Sequence, residues 1–190
     1  MEEGAQLLAQ AAGKPFDYNI VLIGFMGVGK STISTELSKR YGMEIVEMDQ
    51  VIARREGMTI PEIFETHGEE YFRQRETELL IEMQEKRNVI ISCGGGVAMR
   101  ARNVEEMKKN GKVVLLTARP ETILARVKNN DDRPLLRGHK NVEYIEELME
   151  ARREKYEAAA DVFVDTDGRT AAEICADLVD KLLEMDGEDA

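Results

Sequence analysis

The stretch GFMGVGKS, residues 24–31, matches the pattern G-x-x-x-x-G-K-[ST]. It follows an apolar run, YNIVLIG at 18–24, and it opens a helical pattern, KSTISTELSKRYG at 30–42. In this context the glycines let backbone N–H groups curl around phosphate oxygens, and the helix N-terminus adds its positive end. The stretch therefore predicts a phosphate-binding loop (P-loop) that holds a nucleoside triphosphate.

Two side chains of this loop carry chemistry. We expect Lys30 to reach the β- and γ-phosphates and the Ser31 hydroxyl to ligate Mg²⁺. The residues of the loop that we predict to bind the nucleotide are Gly27, Val28, Gly29, Lys30, Ser31 and Thr32.

The rest of the chain alternates short apolar runs with longer helical patterns. Several of the runs are continuously apolar, which is typical of parallel strands covered on both faces. The pattern predicts an α/β fold of three layers, in which helices cover both sides of a five-stranded parallel sheet. Ligands of such sheets bind beyond the carboxyl ends of the strands. The five predicted strands span residues 18–24, 43–48, 88–93, 112–117 and 161–165.

Length and composition narrow the possible classes of protein. The 190 residues predict a single domain over 18–184, between a flexible extension (1–17) and a tail (185–190). A net charge of −11 disfavours nucleic acid or an anionic membrane as a partner, because both are bound through positive fields. Two cysteines make neither a disulfide framework nor a zinc site, and they fit a reducing cytoplasm. We expect no secretory signal and no membrane span.

Two segments depart from simple alternation. Residues 49–87, between the second and third predicted strands, hold about two helices instead of one. The polar stretch 129–141, NNDDRPLLRGHKN, separates two helical patterns. A loop of this length is often a functional lid, although an ordinary solvated connection has the same composition.

Acidic residues follow the second strand, in VEMDQ at 46–50. No Asp ends the third or fourth strand as a Walker-B residue would, and no N-K-x-D motif is present, so a switch GTPase or motor ATPase is disfavoured. Period-2 alternation would point Glu47 and Asp49 toward the same mouth. One could order the Mg²⁺ shell and the other could accept a hydrogen bond from an alcohol being phosphorylated. A solvated strand end is the alternative.

Arginines and a second glycine-rich stretch are further candidates. Arginine suits planar, bidentate recognition of carboxylate or phosphate. Most arginines of such a chain lie on solvated faces, so residue type alone does not select among them. The triple glycine in SCGGGVAMR at 92–100 is either a loose turn or a place where the backbone approaches a ligand. The arginines considered are Arg73, Arg126, Arg133 and Arg152.

Five stretches in this order resemble the shikimate kinase family: the P-loop, the block ending in GEEYFRQRE, SCGGGVAMR, RPLL and LMEARREKY. The resemblance runs from about residue 18 to residue 183. It implies a fold of the nucleoside-monophosphate-kinase type, with an acceptor-binding helical segment at about 49–87 and a lid at about 129–141. It also implies transfer of the γ-phosphate of ATP to the 3-hydroxyl of shikimate, with Mg²⁺.

The resemblance implies a role for each matching residue on the acceptor side. Asp49 would hold the shikimate hydroxyls and orient or activate the attacking one. Arg73 and Arg152 would grip the carboxylate. The glycines of the triple stretch, Gly94, Gly95 and Gly96, would present their backbone to the acceptor.

On the nucleotide side the resemblance places three more arginines. Arg133 would meet the transferring phosphate, Arg126 would lie nearby, and Arg169 would lie beside the adenine. Lys30, Asp49 and Arg133 are thus the implied catalytic residues. Glu47 stands where the family often has Asp, and it would still hold Mg²⁺ through water.

Other assignments stay open at this point. A gluconate kinase shares the P-loop but usually has Ser-Ala-Leu-Lys where this chain has GGGV, and an adenylate kinase carries an Asp-Gly-Phe-Pro-Arg stretch that is absent here. A non-catalytic module would be expected to lose Lys30, Asp49 or one of the paired arginines. We expect a cytoplasmic monomer whose partner is the small-molecule substrate.

Overall fold

The structure of the protein, a computed structural model, describes residues 16–127 and 141–188. Five parallel strands form one sheet in the order β2-β3-β1-β4-β5. This confirms the predicted sheet, and each strand lies within or close to its predicted run. The strands are β1 (Asn19–Ile23), β2 (Glu44–Glu47), β3 (Val89–Ser92), β4 (Gly111–Thr117) and β5 (Val162–Asp165).

Eight α-helices belong to the described ranges and pack on both faces of the sheet. Two short 3-10 turns, Met83–Glu85 and Val97–Met99, precede and follow β3. The helices are α1 (Lys30–Tyr41), α2 (Met48–Glu56), α3 (Ile60–His67), α4 (Glu69–Glu82), α5 (Ala101–Lys109), α6 (Pro120–Val127), α7 (Val142–Ala159) and α8 (Ala171–Glu188).

The central strand β1 is buried on both faces, which explains its uninterrupted apolar sequence. Ile20 and Leu22 point into one core with residues of α1 and α8, whereas Val21 and Ile23 point into a second core with residues of α2, α3 and α4. All four are at most 1% exposed. Side chains alternate between the faces of a strand, so a strand covered on both faces must be apolar throughout.

Between β2 and β3 the chain forms three helices, α2, α3 and α4, rather than the two expected. Gly57 (φ 64°) ends α2 in the left-handed conformation. Thr59 and Glu62 then form a capping box that starts α3, and Gly68 separates α3 from α4. The breaks thus coincide with Gly57, the Thr59–Glu62 pair and Gly68, which are helix-end and helix-start signals that the expectation of two helices did not use.

The boundaries of the domain extend beyond the predicted ones. Phe16, assigned to the N-terminal extension, is 3% exposed and packs in the core, and Tyr18 donates a hydrogen bond to Asp186 (2.8 Å). Helix α8 continues through Glu188, so most of the expected tail at 185–190 is helical. Residues 1–15 of the extension and the predicted lid, except residue 141, lie outside the described residues. No helix in the described ranges is both long and apolar enough to cross a membrane.

The register of the parallel strands brings three loops to one edge. Leu22 of β1 and Glu47 of β2 both align with Ser92 of β3. The P-loop follows β1, α2 follows β2 and the triple glycine follows β3, so all three begin at this carboxyl edge. The P-loop, the start of α2 and the triple glycine therefore form the edge of the sheet where ligands are expected to bind.

We predict that Asn19→Ala destabilises the fold by about 2–3 kcal/mol, because it removes three hydrogen bonds from a buried site. The buried Asn19 amide donates to Met83 O (3.2 Å) and Lys86 O (2.9 Å), and its oxygen accepts from Val89 N (3.2 Å). Urea denaturation of this variant and of Gln50→Ala, an exposed amide, measures the effect. Equal midpoints for the two variants would contradict the prediction.

Candidate active site

A cleft of about 460 Å³ opens at the carboxyl edge of the sheet. The P-loop forms one wall, the junction of β2 and α2 and the loop after β3 form another, and the start of α8 lies on the nucleotide side. Its lining includes Met26, Gly27, Val28, Gly29, Lys30, Ser31, Thr32, Glu47, Asp49, Gly94, Gly95, Arg126, Thr166 and Arg169. The cleft thus contains most of the predicted site residues.

Three glycines of the P-loop have positive φ angles, which the glycine-rich sequence allows. Gly24, Gly27 and Gly29 have φ angles of 139°, 75° and 110°, which residues with a Cβ rarely adopt. A Cβ on Gly24 would also lie 2.5 Å from the carbonyl oxygen of Leu116. Gly29 is the N-cap of α1 and makes no side-chain cap. The first turn of α1 therefore presents its amides to the cleft, which suits an anion.

Lys30 and Ser31 begin α1 and line the cleft beside the P-loop. Lys30 Nζ donates to the carbonyl oxygens of Gly24 (2.8 Å) and Phe25 (3.0 Å), so the ammonium group lies over the loop. Ser31 and Thr32 are exposed at the cleft. The glycine backbone, the ammonium group and the hydroxyl together fit a Mg²⁺-bound triphosphate.

Two arginines brace the nucleotide side through hydrogen bonds to the protein itself. Arg126 Nη1 donates to Val28 O (2.9 Å) and to the hydroxyl of Thr166 (3.1 Å). Arg169 Nη1 donates to Asp177 Oδ2 (2.9 Å). Both line the cleft, as predicted. Their contact with nucleotide stays a prediction, and Arg133 lies outside the described residues.

Glu47 and Asp49 both line the cleft, although not for the reason expected. Glu47 ends β2, and α2 begins at the next residue, so Asp49 lies in the first helical turn. Strand alternation therefore does not apply to Asp49. The immediate change from strand to helix brings both carboxylates to the cleft.

The triple glycine makes room for the protein's own charged side chains. A Cβ on Gly94 would lie 2.7 Å from Asp49 Oδ1, and one on Gly96 would lie 2.5 Å from Arg73 Cζ. A Cβ on Gly95 would meet its neighbours at 3.7 Å, an ordinary contact distance. Any approach of the acceptor to this backbone stays a prediction.

Arg73 and Arg152 converge on the same loop from two different helices. Arg73, on α4, lines a second hollow of about 430 Å³ together with Gly96 and Arg152 of α7. Arg152 Nη1 donates to Gly95 O (3.4 Å), and its guanidinium lies 5.8 Å from the ring centre of Phe25. Glu69, Glu70 and Arg100 also line this hollow. Arg73 already pairs with Glu69 and Glu76, so a ligand carboxylate would share its guanidinium with them. The structure therefore brings the predicted acceptor-binding residues together.

Three residues of the site were missed by the sequence argument. Thr166 bonds to both Val28 O (3.2 Å) and Thr117 O (3.0 Å), and the Tyr156 hydroxyl donates to Gly95 O. Glu76, one turn after Arg73, accepts a hydrogen bond from Arg73 Nη1 at 2.8 Å. Only Glu76 had a signal, since a carboxylate three residues from an arginine on a helix is its neighbour.

Glu76 is a fully buried carboxyl group. Its side chain is 0% exposed. Burial raises the pKa of Glu76 to about 7, with a further rise from Asp49 and an opposing effect of Arg73. Contacts with Glu76 and Glu69 keep the pKa of Arg73 above its usual value despite burial, so Arg73 stays charged.

A P-loop beside a polar pocket with paired arginines and an aspartate, on a five-stranded parallel sheet, defines a small-molecule kinase. The family model described as shikimate kinase matches residues 26–183. The chain belongs to the shikimate kinase family.

Individual relatives agree with this assignment. The chain is 42% identical over 168 residues to the shikimate kinase of Dehalococcoides mccartyi, covering 88% of this chain and 95% of that protein. It also resembles the solved shikimate kinase from Acinetobacter baumannii in complex with shikimate, with a TM-score of 0.85 and 33% identity over 92% of this chain and 97% of that one. A gluconokinase from Sinorhizobium meliloti, at 18% identity, 90% and 94% coverage and TM-score 0.57, shares only the fold.

We predict that Gly29→Ala lowers the affinity for MgATP by roughly tenfold or more, because the left-handed residue at the start of α1 would have to change conformation. Gly42→Ala is the matched control, since Gly42 is also left-handed (φ 63°) but caps the other end of α1. Nucleotide titration by calorimetry measures both affinities. An unchanged affinity in Gly29→Ala would contradict the assignment of the loop.

Proposed function

We propose that the protein transfers the γ-phosphate of ATP to the 3-hydroxyl of shikimate, giving shikimate 3-phosphate and ADP. The observation that carries this proposal is the convergence of Asp49, Arg73 and Arg152 on the triple glycine, beside the P-loop. The family assignment supports the same reaction.

The acceptor would be recognised by polar groups alone. Arg73 and Arg152 would bind its carboxylate, and Asp49 would accept a hydrogen bond from the hydroxyl that attacks. Because these groups would stay unpaired with an acceptor that lacks the matching carboxylate or hydroxyl, they give selectivity for shikimate. Gluconate also carries a carboxylate and hydroxyls, but on a flexible chain that would have to be ordered in this fixed frame.

On the nucleotide side, the P-loop backbone and Lys30 would hold the phosphates, and Arg126 and Arg169 would flank the nucleotide. Ser31 and, through water, Glu47 would hold Mg²⁺, because both open into the same cleft. When bound, the metal ion would neutralise negative charge on the phosphate that is transferred. Glu47 keeps the charge of the Asp more usual in the family and adds one methylene of reach.

Catalysis would then depend on position and charge. Asp49 would orient the attacking hydroxyl and accept its proton, while Lys30 would stabilise negative charge on the phosphate. We assign the same role to Arg133, in the segment that joins α6 to α7. We also propose that residues 129–141 act as a lid that excludes water from the reaction.

We also propose that the protein acts as a cytoplasmic monomer without nucleic acid or membrane partners. The net charge of −11 opposes binding to polyanions. Light scattering at micromolar concentration would test the monomer, and a mass of two chains would contradict it.

The reaction is tested by following ADP release with shikimate, gluconate and AMP as separate acceptors. We expect turnover with shikimate only, and a phosphate ester on the 3-oxygen by ³¹P and ¹H NMR. Turnover with gluconate in preference to shikimate would favour a gluconate kinase. Nucleotide binding without any phosphorylated product would indicate a non-catalytic module.

We predict that Arg73→Ala raises KM for shikimate by on the order of 10². The variant would lose one of the two arginines, Arg73 and Arg152, that we propose bind the shikimate carboxylate. Arg75→Ala is the matched control, because Arg75 forms the same type of pair with Glu78 (2.8 Å) on the same helix but toward solvent. Steady-state kinetics measures both variants. An unchanged KM in Arg73→Ala would overturn the assignment of the acceptor site.

We further predict that Gly96→Ala raises KM for shikimate roughly tenfold, while Gly95→Ala changes it less than about twofold. The reason is geometric, since a methyl at Gly96 would overlap the guanidinium of Arg73 and displace it, whereas a methyl at Gly95 fits. The KM for ATP should stay unchanged in both. A larger effect on KM at Gly95 than at Gly96 would contradict this explanation. It would indicate that the added methyl group clashes with the bound acceptor rather than with Arg73.

A further inference from the structure

Glu76 is the buried ionisable group of the site that the proposed reaction leaves without a role. Its Oε2 accepts from Arg73 Nη1 (2.8 Å). Its Oε1 faces the point beside Gly94 where Asp49 also lies, because a Cβ on Gly94 would be 3.1 Å from Glu76 Oε1 and 2.7 Å from Asp49 Oδ1. Among the residues that the structure describes, Glu76 Oε1 has no hydrogen-bond partner.

The surroundings of Glu76 are charged on several sides. Arg73 and Glu69 lie on its own helix α4, and Arg73 bonds to both carboxylates. Asp49 faces it from α2, and Cys93 and Arg100 belong to the stretch after β3. Arg152 and Tyr156 extend from α7 to the same loop. The cations hold Glu76 ionised, while burial and Asp49 favour its protonated form, and the opposing effects leave its pKa near 7.

A substrate carboxylate would disturb this balance. In the free protein the positive charge of Arg73 stabilises the ionised form of Glu76. A ligand carboxylate that binds Arg73 and Arg152 would weaken this stabilisation, because it pairs with the same guanidinium group. It also adds a negative charge close to a buried carboxylate, which favours protonation. The neutral form of Glu76 would still bond to Arg73 through its carbonyl oxygen, and its new O–H could donate toward the carboxylate of Asp49.

We infer, on the basis of the proposed function, that Glu76 takes up one proton from solvent when the acceptor carboxylate binds Arg73. The uptake removes a competing negative charge from the arginine and leaves Asp49 ionised to receive the hydroxyl. Glu76 is then a positioning residue that couples acceptor affinity to pH. The affinity for shikimate should fall as pH rises through neutrality, because binding is coupled to proton uptake and the proton concentration falls.

The wild-type protein provides the first test. Calorimetric titration with shikimate at pH 7, in phosphate and in Tris, separates the heat of buffer ionisation from the heat of binding. We expect an uptake of roughly half a proton for each shikimate bound, because a group that titrates near pH 7 is about half protonated there. A value of zero, or release of protons, would overturn the inference.

Variants identify the group that binds the proton. In the wild-type protein KM for shikimate should rise roughly tenfold between pH 6 and pH 9, which corresponds to a shift of about one pKa unit on binding. Glu76→Gln should abolish both the proton uptake and this rise in KM, whatever the change in its kcat. Glu78→Gln, the matched exposed pair partner of Arg75, should behave as the wild type. Proton uptake that persists in Glu76→Gln would assign it to another group and overturn the inference.

The outcomes also separate this inference from the proposed function. Phosphorylation of shikimate with no proton uptake in the wild type would leave the reaction standing and remove the role of Glu76. Absence of shikimate binding and turnover at every pH would remove the proposed function itself. The calorimetric test needs no variant, so it decides even if Glu76→Gln does not fold.

Discussion

Parallel pairing of β1 with β3, and of β3 with β2, is the constraint on which the site depends. The register aligns Leu22, Ser92 and Glu47, so three strands end together and the loops that follow them meet. The continuous apolar faces of β1 hold this register, because both cores would lose contacts if the strand moved. The candidate nucleotide-binding and acceptor-binding residues then share one edge of the sheet.

The candidate acceptor site mixes arginines with carboxylates, since its hollow is lined by Arg73, Arg100, Arg152, Glu69 and Glu70. A net charge of −11 repels anionic ligands at long range, so affinity for a small anion must come from short contacts to a few arginines. Arg73 is held by Glu69 and Glu76, which fix its guanidinium before any ligand arrives. Such preorganisation lowers the entropic cost of binding. The cost of this arrangement is a carboxyl group buried at Glu76.

The sequence predicted the sheet and most of the residues that line the candidate site, because both follow from local patterns. Apolar runs marked the strands, and the P-loop glycines marked a backbone conformation that only glycine readily adopts. Glu76, Tyr156 and Thr166 could not be placed in the same way, since their partners come from distant parts of the chain and depend on helix packing. The division of 49–87 into three helices also escaped prediction, although Gly57, Gly68 and the Thr-x-x-Glu pattern at 59–62 mark the breaks. The role of the triple glycine changed most, since Gly94 and Gly96 border Asp49 and Arg73 of the protein itself.

The direct passage from β2 into α2 has a consequence for how such a kinase can vary. Glu47 and Asp49 are separated by a single residue across a strand–helix junction, and the buried Met48 between them anchors that junction in the core. The junction therefore fixes the spacing of the two carboxylates through the backbone. With the roles proposed above, a longer side chain at position 47 would change the reach toward the metal while Asp49 kept its place. Metal preference and the choice of acceptor would then be able to vary separately in this fold.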